Sequence, residues 1–205
     1  MTVLKAVVTG SIGLVLATAC ASSSPPQPVA NSSPAPSAAV SAGTASGSTT
    51  TSPAPAASEV PESNLPAFQC ADQSGSGSGG SFTPVSDVRV GTHDGYDRFV
   101  LQFATALPNY TVARRSNATF VNSPRGDQVT LAGNAGLLVT VRPIDWTSYS
   151  GTTQLKPSYT YLKEVRQVEN YEGVQQWGLG VQGTPCVRVF TLPSPIRLVV
   201  DVRAS

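Results

Sequence analysis

One histidine serves this chain of 205 residues, and it opens the segment where polar chemistry is most concentrated, His93-Asp94-Gly95-Tyr96-Asp97-Arg98. An imidazole, two carboxylates, a phenol and a guanidinium lie side by side there, able to hydrogen-bond a sugar or a peptide stem. The same residues have a second reading. Asp94-Gly95 makes a hairpin turn, and Asp97 or Asp201 pairs with Arg98 or Arg197 to fix strand register. A further group consists of Trp146, Tyr149, Tyr171 and Glu172, whose aromatic faces suit a sugar or peptide platform. Trp177 belongs elsewhere, since it shares a face with Leu179 and Val181 and is expected in the core. Hydrolysis needs a nucleophile with a base, or a metal cluster. A lone His93 with no His/Asp/Glu cluster at metal spacing argues against zinc amidase chemistry, and nothing favours a paired-carboxylate glycosidase. The expectation is binding without reaction: no catalytic residue, no cofactor, no metal.

The elements that must hold these residues read as strands. Val88 and Val90 alternate with Asp87, Arg89 and Gly91, and Phe99, Leu101 and Phe103 with Arg98, Val100 and Gln102. Residues 109–114, 127–131 and 136–142 follow, the last with Leu137, Val139 and Val141 on one face. Trp177, Leu179 and Val181 share a face, as do Val187 and Val189; in the final strand Leu198, Val200 and Val202 oppose Arg197, Val199, Asp201 and Arg203. Turn chemistry separates these runs at Asp94-Gly95, Ser123-Pro124-Arg125-Gly126, Gly133-Asn134 and Gly183-Thr184-Pro185. The pattern predicts an all-β, antiparallel β-sandwich of eight or nine strands. Residues 144–159 break the alternation and read as a long surface loop, and Arg114-Arg115 as a solvated turn. In 161–171, Val165 and Val168 are three apart, and a bulge is expected to bring them to one face.

The start of the chain has a different composition. Lys5 precedes an apolar run, Ala6 to Ala19, too short to span a bilayer as a helix and suited to a cleaved signal peptide. Leu16-Ala17-Thr18-Ala19-Cys20 resembles a bacterial lipoprotein signal, in which Cys20 becomes the lipidated first residue. The alternative is an ordinary secretory signal with Cys20 incidental, which makes the protein secreted. Between Ala21 and Pro66 stand nine prolines and only two charges, Glu59 and Glu62. That segment cannot bury enough apolar surface to offset its ordering entropy. The organisation expected is a signal over 1–19, a lipidated cysteine and disordered tether over 20–80, and a folded domain over 81–205. Cys70 and Cys186, an even pair in a compartment that permits oxidation, read as one disulfide. The charge of the domain is mild and scattered, which excludes nucleic acid as a partner.

Two segments carry a family likeness: Val88-Arg89-Val90-Gly91-Thr92-His93-Asp94-Gly95-Tyr96-Asp97-Arg98-Phe99-Val100-Leu101-Gln102-Phe103 and Pro195-Ile196-Arg197-Leu198-Val199-Val200-Asp201-Val202. Between them lie Glu164-Val165, Tyr171-Glu172-Gly173 and Trp177-Gly178-Leu179-Gly180. Together these resemble the AMIN-like domain of actinobacterial lipoproteins, a family similar to the AMIN domains of cell-wall amidases. The resemblance implies a β-sandwich that binds peptidoglycan or a wall-associated protein, without catalysis, and it carries over no ligand-binding residue. With the lipid anchor, the expected place is the outer face of the cytoplasmic membrane. A protein–protein adaptor of an envelope complex is the alternative role, and small-molecule or lipid carriage a third.

Overall fold

The computed structural model describes residues 61–78 and 80–205, so Cys20, the signal segment and most of the tether lie outside the described residues. A single 3-10 turn, Glu62–Asn64, precedes twelve strands. They are β1 (Gln73–Gly75), β2 (Val85–His93), β3 (Tyr96–Phe103), β4 (Asn109–Arg115), β5 (Thr119–Asn122) and β6 (Asp127–Thr130). Then come β7 (Ala135–Arg142), β8 (Gln154–Leu155), β9 (Leu162–Tyr171), β10 (Val174–Val181), β11 (Pro185–Pro193) and β12 (Ile196–Ala204). Among the described residues no helix is long and apolar enough to cross a membrane.

Alternation sorts the side chains into layers. A six-stranded antiparallel sheet, β1-β4-β7-β10-β9-β8, faces a four-stranded one, β11-β12-β3-β2. Phe99, Leu101, Leu198, Val200 and Val202 from the smaller sheet meet Val112, Leu137, Val139, Trp177 and Leu179 from the larger in one core. Trp177 is fully buried; Phe99 lies 6.0 Å from it, ring centre to ring centre. Its indole N–H donates to Gln175 Oε1 at 2.9 Å, satisfying the one polar atom this ring brings into the core. The sandwich expected from the alternation is the sandwich observed.

The three strands beyond the nine readable from alternation are β1 and β8, too short to show a period, and the four-residue β5. The β5–β6 hairpin folds over the outer face of the six-stranded sheet, where Ala118, Phe120, Leu131 and Val168 form a second apolar cluster. Gly136 and Gly178 make room for it: a Cβ on either would lie 2.8 Å or 2.9 Å from the Phe120 ring. The hairpin also corrects the reading of β9. Its pairing with β10 slips between Gln176 and Trp177, but Val165 enters the main core and Val168 the second cluster. The bulge does not bring them to one face, because here both faces of the sheet are covered. Arg114 and Arg115 likewise are not in a turn but in β4, paired with Leu137 and Gly136.

Residues 61–78, which composition assigns to the tether, lie against the sandwich. Gln69 and Val187 exchange backbone hydrogen bonds of 2.8 Å each way, β1 adds an edge to β4, and Arg114 Nη1 donates to the Cys70 carbonyl. Beside these bonds Cys70 and Cys186 form a disulfide that closes a sequence separation of 116 residues. For a loop of that order the chain-entropy account gives about 4–5 kcal/mol of stabilisation, an upper figure in practice. Cys186→Ala is expected to lower the thermal midpoint of the oxidised protein by several degrees and to leave the reduced protein nearly unchanged. Equal midpoints for variant and oxidised parent would show that the bridge contributes nothing.

Candidate functional site

The sequence singles out two groups, and the fold separates them. His93 and Tyr96 close one end of the β2–β3 hairpin, while Phe82 and Thr83 precede β2 at its other end. Nine residues of strand at about 3.3 Å each hold the two ends roughly 30 Å apart.

At the first end, register brings Arg188, Asp201 and Arg98 into one row across β11, β12 and β3, on the face turned away from the core. Asp201 is fully buried. Arg98 grips it with two bonds, Nε to Oδ1 at 2.6 Å and Nη2 to Oδ2 at 3.0 Å. Arg188 Nε donates to Oδ2 at 2.8 Å; its Nη2 lies 2.7 Å from the same oxygen, close enough for charge attraction but off-line for a hydrogen bond. The N-terminal segment then covers the row. Glu62 accepts from the Tyr96 hydroxyl at 2.6 Å, and Phe68 lies against Arg188 and Arg203, whose guanidinium carbons are 4.7 Å and 4.4 Å from its ring centre. His93 stacks on Tyr96 at 4.7 Å. Asp94 sits in the exposed turn beside Gly95, whose φ of +81° suits glycine. The Tyr96 hydroxyl is pushed up to about 12, by burial first and then by its bond to Glu62.

The ion pair that ties these strands is therefore Arg98 with Asp201. Asp97 pairs with no arginine: it accepts from Thr92 Oγ1 at 2.9 Å and from the backbone amides of Tyr161 and Leu162 at 2.6 Å and 2.9 Å. Parity explains the division, since Asp97 shares a face with Phe99 and Leu101. Among the described residues Arg197 meets no carboxylate either; its Nε donates to the Pro195 carbonyl at 3.3 Å. Burial, then the charges of Arg89 and Arg98, hold its guanidinium below the usual range. At this end both oxygens of Asp201 and of Asp97 and the Tyr96 hydroxyl are hydrogen-bonded within the protein, while Arg188 Nη2 and, farther along β12, Arg197 Nη2 are buried without a hydrogen-bond partner among the described residues.

The second end is open. Thr83 bridges Ile144, the Ile144 amide donates to the Gly173 carbonyl at 2.9 Å, and the Asp145 amide to the Thr83 carbonyl at 3.0 Å. Three connecting segments are thus pinned together. Asp145 accepts from the Thr147 amide at 3.1 Å, the Thr147 hydroxyl at 2.7 Å and the Ser148 hydroxyl, which hold its carboxyl below the ordinary range. The turn so formed presents Trp146. From the core outward, Trp177, Gln175, Asn170 and the Trp146 carbonyl form a continuous hydrogen-bond chain. Trp146 meets Tyr171 at 5.8 Å between ring centres, and both remain about two-fifths exposed. Phe82, more exposed still, lies close over Gly173.

The β9–β10 turn has both central residues in the left-handed region, Glu172 at φ 47° and Gly173 at φ 77°, the geometry that matches strand twist in a two-residue hairpin. A glutamate there pays a strain that Asn or Gly would avoid. The Tyr171 hydroxyl is raised by its hydrogen bond to Glu172. Beside them is a hollow of about 490 Å³, lined by Phe82, Asn109, Arg142, Pro143 and Glu172 among others. Of the sequence-read group, then, Trp146, Tyr171 and Glu172 come together, and Tyr149 does not. It turns inward, edge-on to Trp177 at 6.0 Å, with its hydroxyl donating to the Thr152 carbonyl at 2.6 Å. Sequence reasoning missed Phe82 and Arg142. Phe82 stands alone in a polar stretch and Arg142 has outward parity at its strand's end, signals that mark exposure but not company.

A family model described as the AMIN-like domain matches residues 83–204. A search of curated proteins found no match. Among the described residues, no group of three His, Cys, Asp or Glu is placed to hold a metal ion.

The raised Tyr96 hydroxyl sets a pH dependence. Its proton is held more tightly folded than unfolded, so its stabilisation is complete below about pH 10 and is lost as pH rises toward 12. The unfolding midpoint of the parent is expected to fall more steeply over that window than that of Tyr96→Phe, measured by denaturant titration at each pH. Parallel pH profiles would contradict it.

Proposed function

The chain belongs to the AMIN-like domain family, and from that premise we propose that it is a lipid-anchored envelope protein whose aromatic end binds peptidoglycan. AMIN-like domains are non-catalytic, envelope-associated binding domains. The observation that carries the reading is the exposure of Phe82, Trp146 and Tyr171 at an end of the sandwich whose segments are fixed by backbone bonds, with Phe82 also lining a hollow that has Arg142 and Glu172 at its wall. Apolar ring faces held in water by a rigid scaffold serve ligands with apolar faces of their own, as sugar rings have, and the flanking charges orient polar substituents. The opposite end supports the same assignment, because the Asp201 carboxylate is buried and already holds Arg98 and Arg188.

Membership alone does not choose between the two ends; the exposure of the rings at the second end favours it. In a pull-down of the full chain on purified peptidoglycan, Trp146→Ala with Tyr171→Ala is expected to reduce binding about tenfold or more, since truncation of central aromatic contacts costs upward of about 1–2 kcal/mol each. The melting temperature should not change, as neither ring is in the core. Retention equal to the parent would remove this end as the site. For the anchor, Cys20→Ala should move the protein from the membrane fraction to the medium; an unchanged membrane fraction would show that Cys20 carries no lipid.

A further inference from the structure

Arg142 belongs to two hollows at once. The first is the one beside Phe82 and Glu172; the second, of about 500 Å³, runs past Ser74, Thr111 and Thr140, and Asn109 and Arg142 line both. Register shows how they join. Asn109 stands opposite Arg142, and one row farther in, Ser74, Thr111, Thr140 and Gln176 lie side by side across β1, β4, β7 and β10. That row has the parity opposite to Val112, Val139 and Val141, which are core, so it faces outward. Among the described residues, the side chains of Thr111, Thr140, Gln176 and Arg142 make no hydrogen bond or ion pair with the protein. Arg142 differs in this from Arg98 and Arg188, each of which meets Asp201.

We propose that the two hollows are one groove for a single extended glycan chain, with Arg142 pairing a carboxylate carried on the sugars. The inference rests on the peptidoglycan reading above and gives its ligand chemistry. A peptide adding to this sheet would pair with backbone at its edge, which here is the three-residue β1, whereas the groove runs over the outward face. The surface on offer is a face of hydroxyls and amides, with aromatic rings at one end. A sugar polymer presents hydroxyls along its whole length and ring faces at intervals. An unpaired guanidinium midway along adds one specific demand, a planar anion that it can meet with two donors.

The test is calorimetric titration of the full chain with four probes: peptide-free glycan strands with their lactyl carboxylates exposed, the same strands as methyl esters, chitohexaose and chitobiose. The free-acid strands should bind about tenfold or more tightly than the esters, the size of a charge-assisted hydrogen bond. Arg142→Gln should abolish that difference and still bind chitohexaose, which shows it is folded. The exposed Arg125→Gln should keep the difference. Chitohexaose should bind more tightly than chitobiose, and Thr111→Val with Thr140→Val should narrow that gap. Equal affinity for free acid and ester, or an Arg142→Gln variant that still discriminates, would overturn the carboxylate pairing. Equal affinity for chitobiose and chitohexaose would overturn the extended groove. If the Trp146 and Tyr171 substitutions weaken peptidoglycan binding while Arg142→Gln changes nothing, this inference fails and the site reading stands.

Discussion

The carboxylate of Asp201 is removed from water on the covered face of the four-stranded sheet, and guanidiniums from the strands on both sides answer it. An unpaired charge there would cost several kcal/mol, and removing one partner of such a buried group typically destabilises by about 3–5 kcal/mol. The pairing therefore holds only if β11, β12 and β3 keep their register, since a slip of one residue would turn Asp201 into the core and an aliphatic side chain outward. The N-terminal segment depends on the same row. Phe68 seats on the guanidiniums of Arg188 and Arg203, Glu62 meets Tyr96, and the disulfide from Cys70 closes on β11 two residues from Arg188.

This arrangement divides labour between the ends of the molecule. The Asp201 end fastens the incoming chain to the sandwich through ion pairs, ring contacts and a covalent bond. The Trp146 end leaves its rings in water, yet fixes the segments that carry them through the bonds among Thr83, Ile144, Asp145 and Gly173. A binding surface on short, pinned connections loses little conformational freedom when a ligand arrives.

Much of this could be read from residues, and the failures have physical causes. Period-2 alternation locates the long strands because each buries one face; β1 and β8 carry too few residues to alternate, and β1 lies in Gly/Ser composition that reads as linker. Asp97 and Asp201 look equivalent as partners for Arg98 until parity is applied, and then only Asp201 shares its face. Trp177 is assigned to the core by the same rule, and it is there. Trp146 and Tyr149 lie outside any period. Which of the two turns inward is decided by the Asp145 turn and by the space beside Trp177, a tertiary fact with no local signal. Arg142 and Phe82 acquire meaning only once distant segments meet.

The two tryptophans make the central claim directly measurable. In the full chain labelled with nitrogen-15, the indole N–H signals of Trp146 and Trp177 report the open end and the core. On titration with soluble glycan fragments of peptidoglycan, the Trp146 signal should shift progressively while that of Trp177, buried and bonded to Gln175, moves little. Backbone shifts should cluster at Phe82, Arg142, Tyr171 and Glu172. A stationary Trp146 signal, with shifts gathered instead around Arg98, Arg188 and Asp201, would contradict the assignment of binding to the aromatic end.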